Sequence, residues 1–128
     1  MKVLILEDDP QRQKYFAYWK LQNHQVTMAN NVGEIISELE ENEFDVLFLD
    51  HDLGWNTYVN SFGKEETGYL VALWLAENPD KQPGTIVLHT LNPVGRENMK
   101  AVLPKAHIVP FAWNYTLEQL FNRRDVTT

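Results

Sequence analysis

Residues 45–52 read DVLFLDHD, an apolar run Val46-Leu47-Phe48-Leu49 that stops at once on Asp50-His51-Asp52. Apolar residues in unbroken succession, without polar alternation, predict a strand covered on both faces, which is the habit of a parallel sheet. Similar short runs recur on either side. KVLIL at 2–6, QVTMA at 25–29, TIVLH at 85–89 and HIVPF at 107–111 read as four further strands. Segments of helical period separate them. Pro10 after Asp9 suits the first turn of a helix running to about Leu21, burying some of Tyr15, Phe16 and Trp19. Asn31 and Glu34 have capping-box spacing ahead of the stripe Val32, Ile35, Ile36, Leu39. A helix from Thr67 to about Asn78 carries Leu70, Val71, Trp74 and Leu75 and stops before Pro79. Pro93 opens a fourth helix through Met99, Val102 and Leu103, and Thr116 with Gln119 caps a fifth through Leu117, Leu120 and Phe121. A polar stretch from Gly54 to about Glu66 is long for a strand-to-helix connection. The pattern is (βα) five times over. Right-handed crossovers then give an α/β doubly wound parallel sheet with helices on both faces.

Composition agrees with one such domain over 1–128. The 128 residues are 44% hydrophobic, a proportion that argues against disorder, and a chain of this size buries roughly two thirds of its unfolded surface. There is no Cys, which excludes disulfides, thiolate zinc sites and thiol catalysis. Eleven basic against 18 acidic residues give a net charge of −7, unfavourable for an extended nucleic-acid surface or an anionic membrane. The opening run Val3-Leu4-Ile5-Leu6 meets Glu7-Asp8-Asp9 far short of a signal peptide or of the roughly 20 residues of a membrane helix. The expectation is a soluble cytoplasmic protein.

In an open parallel sheet, ligands bind outside the carboxyl ends of the strands. Those ends carry Glu7, Asp8 and Asp9 after the first strand, Asp50, His51 and Asp52 after the third, and His89, Thr90 and Asn92 after the fourth. If strands one and three are neighbours, at least three carboxylates converge, and together they need protons or a cation. An oxygen-rich, sulfur-free site suits Mg²⁺ or Mn²⁺. Such an ion reverses the local field and draws in phosphate. Thr90 then donates to a phosphoryl oxygen, and His51 or His89 serves as general acid or base.

Other readings stand beside these. Asp9 before Pro10 is a helix N-cap or a metal ligand, and Asn92 before Pro93 is a cap or a phosphate contact. Asp52 starts a turn or joins the metal site. Arg96 clamps an anion or is a solvated surface residue. Asp8 and Asp50 follow buried strands directly and read as functional. Alternation along a strand should send His89 and Thr90 to opposite faces, so that at most one of them points straight into the crevice. His24 and His107 lie away from these ends, and Trp19, Trp55, Trp74 and Trp113 read as core and loop packing.

The segments VLILEDDP, DVLFLDHDL and IVLHT, spread over a fivefold βα chain, resemble the receiver domain of bacterial response regulators. The resemblance covers nearly the whole chain and implies a flavodoxin-type sheet of order 2-1-3-4-5. It implies Mg²⁺ held by Asp8 and Asp9 (or Glu7, if the register shifts by one), by Asp50 and by the backbone carbonyl of Asp52. Asp50 would be the phosphoacceptor and Thr90 the hydroxyl at the end of strand four. Receivers carry a lysine just before the proline that ends strand five, whereas here that position is Val109. The motifs FLDHDLG, ETG and LHTLNPVGRENM are similar to a divergent branch, the cyclic-phosphate-processing receiver domains of bacteria and phages, and imply a catalytic pocket rather than a switch.

Three functions follow as expectations. The first is metal-dependent phosphoryl chemistry on a phosphate or cyclic-phosphate ester, with Asp8, Asp9 and Asp50 on the metal and Thr90, Asn92 and Arg96 on the phosphoryl oxygens. Its ligand would be a phosphate-containing small molecule or an RNA end. The second is a stand-alone receiver phosphorylated on Asp50 by a histidine kinase, with an effector protein as its output. The third is a pseudo-receiver that only binds partners.

Overall fold

The computed structural model describes residues 1–17, 23–50, 68–110, 112, 115 and 117–122. Five strands, β1 (Lys2–Leu6), β2 (Gln25–Ala29), β3 (Val46–Leu49), β4 (Thr85–Leu88) and β5 (His107–Ile108), pair in parallel in the order β2-β1-β3-β4-β5. Helices α1 (Pro10–Ala17), α2 (Val32–Glu41), α3 (Gly68–Glu77), α4 (Pro93–Val102) and α5 (Leu117–Asn122) alternate with them, and a short 3-10 turn, Pro79–Lys81, precedes β4. This is the doubly wound architecture that the sequence pattern predicts.

The sheet divides the core into two layers. Leu4, Leu6, Leu47, Leu49 and Leu88 pack on one face with Val32, Ile35 and Leu39 of α2, Val71 and Leu75 of α3, and Met99 of α4. Val3, Ile5, Val46, Phe48 and Val87 pack on the other with Phe16 of α1 and Leu120 of α5. The central strands are buried on both sides, which is why they read as continuous apolar runs. Helix α3 is apolar nearly all round because it packs against both α2 and α4.

Sequence signals at the helix starts correspond to real contacts. Asn31 Oδ1 accepts the Glu34 N–H at 2.9 Å, and the Asn31 side-chain amide donates back to Glu34 Oε1 at 2.8 Å. Two expectations are sharpened. Tyr15 is 42% exposed, leaving Phe16 as the buried aromatic of α1 among the described residues. Strand five is shorter than 107–111: Val109 N–H still donates to the Leu88 carbonyl at 3.0 Å, but Pro110 has no N–H to continue the ladder. Helix α1 is described to Ala17. The rest of its expected span, together with Trp19, the Gly54–Glu66 stretch, Trp55, Thr67, Phe111, Trp113 and Thr116, lies outside the described residues. No described helix is long and apolar enough to cross a membrane.

Candidate active site

Strand register builds the site. Leu6 pairs with Leu49, and Leu49 pairs with Leu88, so β1, β3 and β4 end level. The next residue of each strand, Glu7, Asp50 and His89, falls in one row above the sheet. The ladder extends one step into that row: Glu7 N–H donates to Ala29, Asp50 N–H to Leu6 and His89 N–H to Leu49, at 3.2, 3.4 and 3.2 Å. All three side chains are at most 2% exposed, and one donor atom from each lies within 4.8 Å of the others.

His89 Nε2 stands 3.0 Å from Glu7 Oε1. With Glu7 ionised, the proton of that bond sits on Nε2. The imidazole packs edge-on against Phe16, ring centroids 5.3 Å apart, so its orientation is set by the apolar layer beneath. Thr90, also fully buried, hydrogen-bonds Asp50 with its hydroxyl and accepts the Asn92 N–H at 3.1 Å. Both residues therefore engage the acidic cluster, contrary to the alternation expected of a strand. The reason is that β4 ends at Leu88, and Thr90 already belongs to the turn into α4.

Arg12, on the first turn of α1, leans over the same row. Its Nε lies 3.3 Å from Glu7 Oε1 and 3.7 Å from Asp9 Oδ2, and its Nη2 lies 3.8 Å from Asp50 Oδ2. Burial pushes the Asp50 carboxyl up and Glu7 adds to the effect, while His89, Arg12 and the Thr90 hydroxyl oppose it. Asp8 rises from 3.8 to about 6, through burial first and then the charges of Glu7 and Asp50. Neither Asp8 carboxylate oxygen accepts a hydrogen bond from another described residue, although both are enclosed.

The residues singled out from the sequence thus separate. Asp8, Asp50, His89 and Thr90 come together. Asp9 sits at the helix start, its Oδ1 accepting the N–H groups of Gln11 at 2.9 Å and Arg12 at 3.2 Å. Asn92 does the same for α4, accepting the Gly95 N–H at 3.1 Å. Arg96 is half-buried on α4, and among the described residues no ion pair joins it to the carboxylates. His51 and Asp52 lie outside the described residues. Sequence reasoning left Glu7 as a matter of register and overlooked Arg12, whose available signal was its spacing of three from Asp9 at a helix start.

The donors fit a hard divalent cation. Asp8 and Asp50, both raised by burial first and then by neighbouring carboxylate charge, stand beside Glu7, and such crowding is what a cation relieves. Glu7, Asp50 and His89, whose donor atoms lie within 4.8 Å of one another, could hold it, with the Asp8 carboxylate beside them.

Comparison with known proteins bears on the fold and the family. The chain is similar in structure to the response regulator DrrB of Thermotoga maritima, an OmpR/PhoB homologue, at 20% identity and TM-score 0.61 over 95% of this chain and 49% of that one. It thus spans about half the length of that regulator. It resembles a Burkholderia pseudomallei response regulator solved with a phosphorylated aspartic acid, calcium ion and citrate, at 14% identity and TM-score 0.68 over 98% and 68% of the two chains. It also resembles TrrA of Thermotoga maritima in complex with Mg²⁺-BeF, at 16% identity and TM-score 0.66 over 94% and 96%. Likeness at these identities is likeness of fold. No curated protein matches the sequence. The profile of the cyclic-phosphate processing receiver domain family does match, over residues 2–105, and the chain belongs to that family.

Proposed function

We propose that the pocket carries out divalent-metal-dependent phosphoryl chemistry on a phosphate or cyclic-phosphate ester, in the cytoplasm, with a small phosphate-containing molecule or an RNA end as substrate. The observation that carries this reading is Asp8. Its two enclosed oxygens accept no hydrogen bond from another described residue, and burial, with Glu7 and Asp50 beside it, raises its pKa. A carboxylate kept at such cost is a ligand for something positive. Mg²⁺ or Mn²⁺ held by Glu7, Asp8 and Asp50 would supply a Lewis acid for the phosphoryl oxygens.

The protein's own groups have separate tasks. Thr90, fixed by the Asn92 N–H, holds its hydroxyl on Asp50 and orients that carboxylate. Proton transfer falls to His51 or His89. His89 is fully buried and hydrogen-bonded to Glu7 at 3.0 Å, so in this reading it acts through Glu7 rather than meeting an ester directly. The cap contacts of Asp9 and Asn92 favour helix-terminal roles for those two residues over the metal and phosphate roles expected from the sequence. In the same reading Arg96 is a phosphate contact, and the carbonyl of Asp52, outside the described residues, a metal contact.

The test is turnover of 2′,3′-cyclic nucleotides and a panel of RNA ends with Mg²⁺ or Mn²⁺. Activity should vanish with EDTA and in Asp50→Ala. Absence of turnover across the panel, or turnover that survives Asp50→Ala, sinks the proposal. A second reading, phosphorylation of Asp50 as in a signalling receiver, is favoured by the Thr90 hydroxyl on Asp50. Acetyl phosphate and Mg²⁺ should then add one phosphoryl group by intact mass. Val109, packed among apolar side chains where receivers carry lysine, weighs against it.

A further inference from the structure

We infer that Arg12 is the fixed phosphate clamp of this pocket, an inference that rests on the phosphoryl function proposed above. The crevice gathers four carboxylates, from Glu7, Asp8, Asp9 and Asp50, against the guanidinium of Arg12. That balance repels phosphate unless cations neutralise it, and a divalent ion alone still leaves excess negative charge. Val109, before the proline at the end of β5, is apolar, only 6% exposed and packed in the layer with Val3, Phe48 and Val87, so positive charge has to come from elsewhere. Helix α1 supplies it.

The placement of the guanidinium suits an anion clamp. Asp9 Oδ1 accepts the Arg12 backbone N–H at 3.2 Å, which anchors the residue at the helix start. Glu7, itself held by His89, lies 3.3 Å from Nε and holds the guanidinium near the row by charge. Nη2 then stands 3.8 Å from Asp50 Oδ2, over the carboxyl that an incoming phosphoryl group must approach. A guanidinium at this place brings planar, paired N–H donors towards phosphoryl oxygens, a geometry that a lysine ammonium cannot reproduce. The side chain is 21% exposed, so it is both supported from below and reachable from solvent.

The duller alternative is that Arg12 merely neutralises the carboxylates. Titration calorimetry of the full chain with Mg²⁺ alone, and with inorganic phosphate at saturating Mg²⁺, separates the two. Arg12→Gln should weaken phosphate binding by about tenfold or more, while Mg²⁺ binds as well as before or better because a competing cation has gone. Arg12→Lys, which keeps the charge and protects against loss of fold, should weaken phosphate by about threefold or more. Unchanged phosphate affinity in either folded variant overturns the inference while leaving the proposed function standing. If the wild-type protein binds Mg²⁺ but no phosphate, the clamp and the function fall together.

Discussion

Asp8 shows how a single half-buried carboxyl makes stability depend on pH. Its folded pKa of about 6 lies above the ordinary 3.8, so the native state holds its proton more tightly than the unfolded chain does. Stability from this group is therefore fully present below about pH 4 and is lost as pH rises through about 6. Asp50, raised in the same direction by burial, adds to the trend. Asp8→Asn should stabilise the metal-free protein at pH 7.5 by on the order of 1 kcal/mol, a figure discounted for the partial exposure of the group. The gain should shrink towards zero at pH 4, and thermal melts in EDTA across this range would show it. A gain independent of pH would mean that the carboxylate carries no such penalty. His89 is the opposite case, since its loss strands a partner. His89→Leu leaves Glu7 buried without its imidazole and should cost about 2 kcal/mol in urea unfolding.

At the scale of elements, the start of α1 tells a cap from a ligand. Asp9 Oδ1 binds two backbone N–H groups, so Asp9→Ala should lower stability by about 1 kcal/mol, read by urea unfolding. Mg²⁺ affinity should fall far less in that variant than in Asp8→Asn. A metal affinity lost equally in both would return Asp9 to the ligand set. The end of β5 makes a separate point. Val109 closes the apolar layer formed by Phe16, Phe48 and Val87, so Val109→Lys forces an ammonium into that layer and should cost about 3 kcal/mol. Denaturant midpoints measure this directly. No stabilising effect of phosphate on the variant is expected, because the layer lies under the row of Glu7, Asp50 and His89 and does not open to it.

For the molecule as a whole, the charge of −7 and the pocket are connected. Part of that charge is gathered where β1 and β3 end, and a divalent ion that binds there binds only the folded chain. Mg²⁺ or Mn²⁺ at about ten times its dissociation constant should stabilise by roughly 1.4 kcal/mol and raise the melting temperature by a few degrees. EDTA should reverse the shift, and Asp8→Asn should abolish it. A melting temperature indifferent to divalent ions in the wild-type protein would remove the metal from the account.

Much of this was legible in the chain. Unbroken apolar runs such as Val46–Leu49 mark strands buried on both faces, because burial on two sides leaves no place for polar alternation. Asn31 with Glu34, and Asn92 before Pro93, mark helix starts, because unsatisfied N–H groups need a nearby acceptor. Those signals are local, and local chemistry is what a sequence displays. Which acid of Glu7-Asp8-Asp9 faces Asp50 is not local. Shifting a strand by one residue turns every side chain to the other face, and only the pairing of Leu6 with Leu49 and of Leu49 with Leu88 selects Glu7 for the row shared with Asp50 and His89. Arg12 was hidden for the same reason. Five residues separate it from Glu7 and 38 from Asp50, and its guanidinium meets both only because α1 packs back across the ends of β1 and β3. The sequence alone determined the elements and the kinds of groups at the strand ends. The tertiary structure decided which of them meet, because register and packing are set by the whole sheet rather than by any one segment.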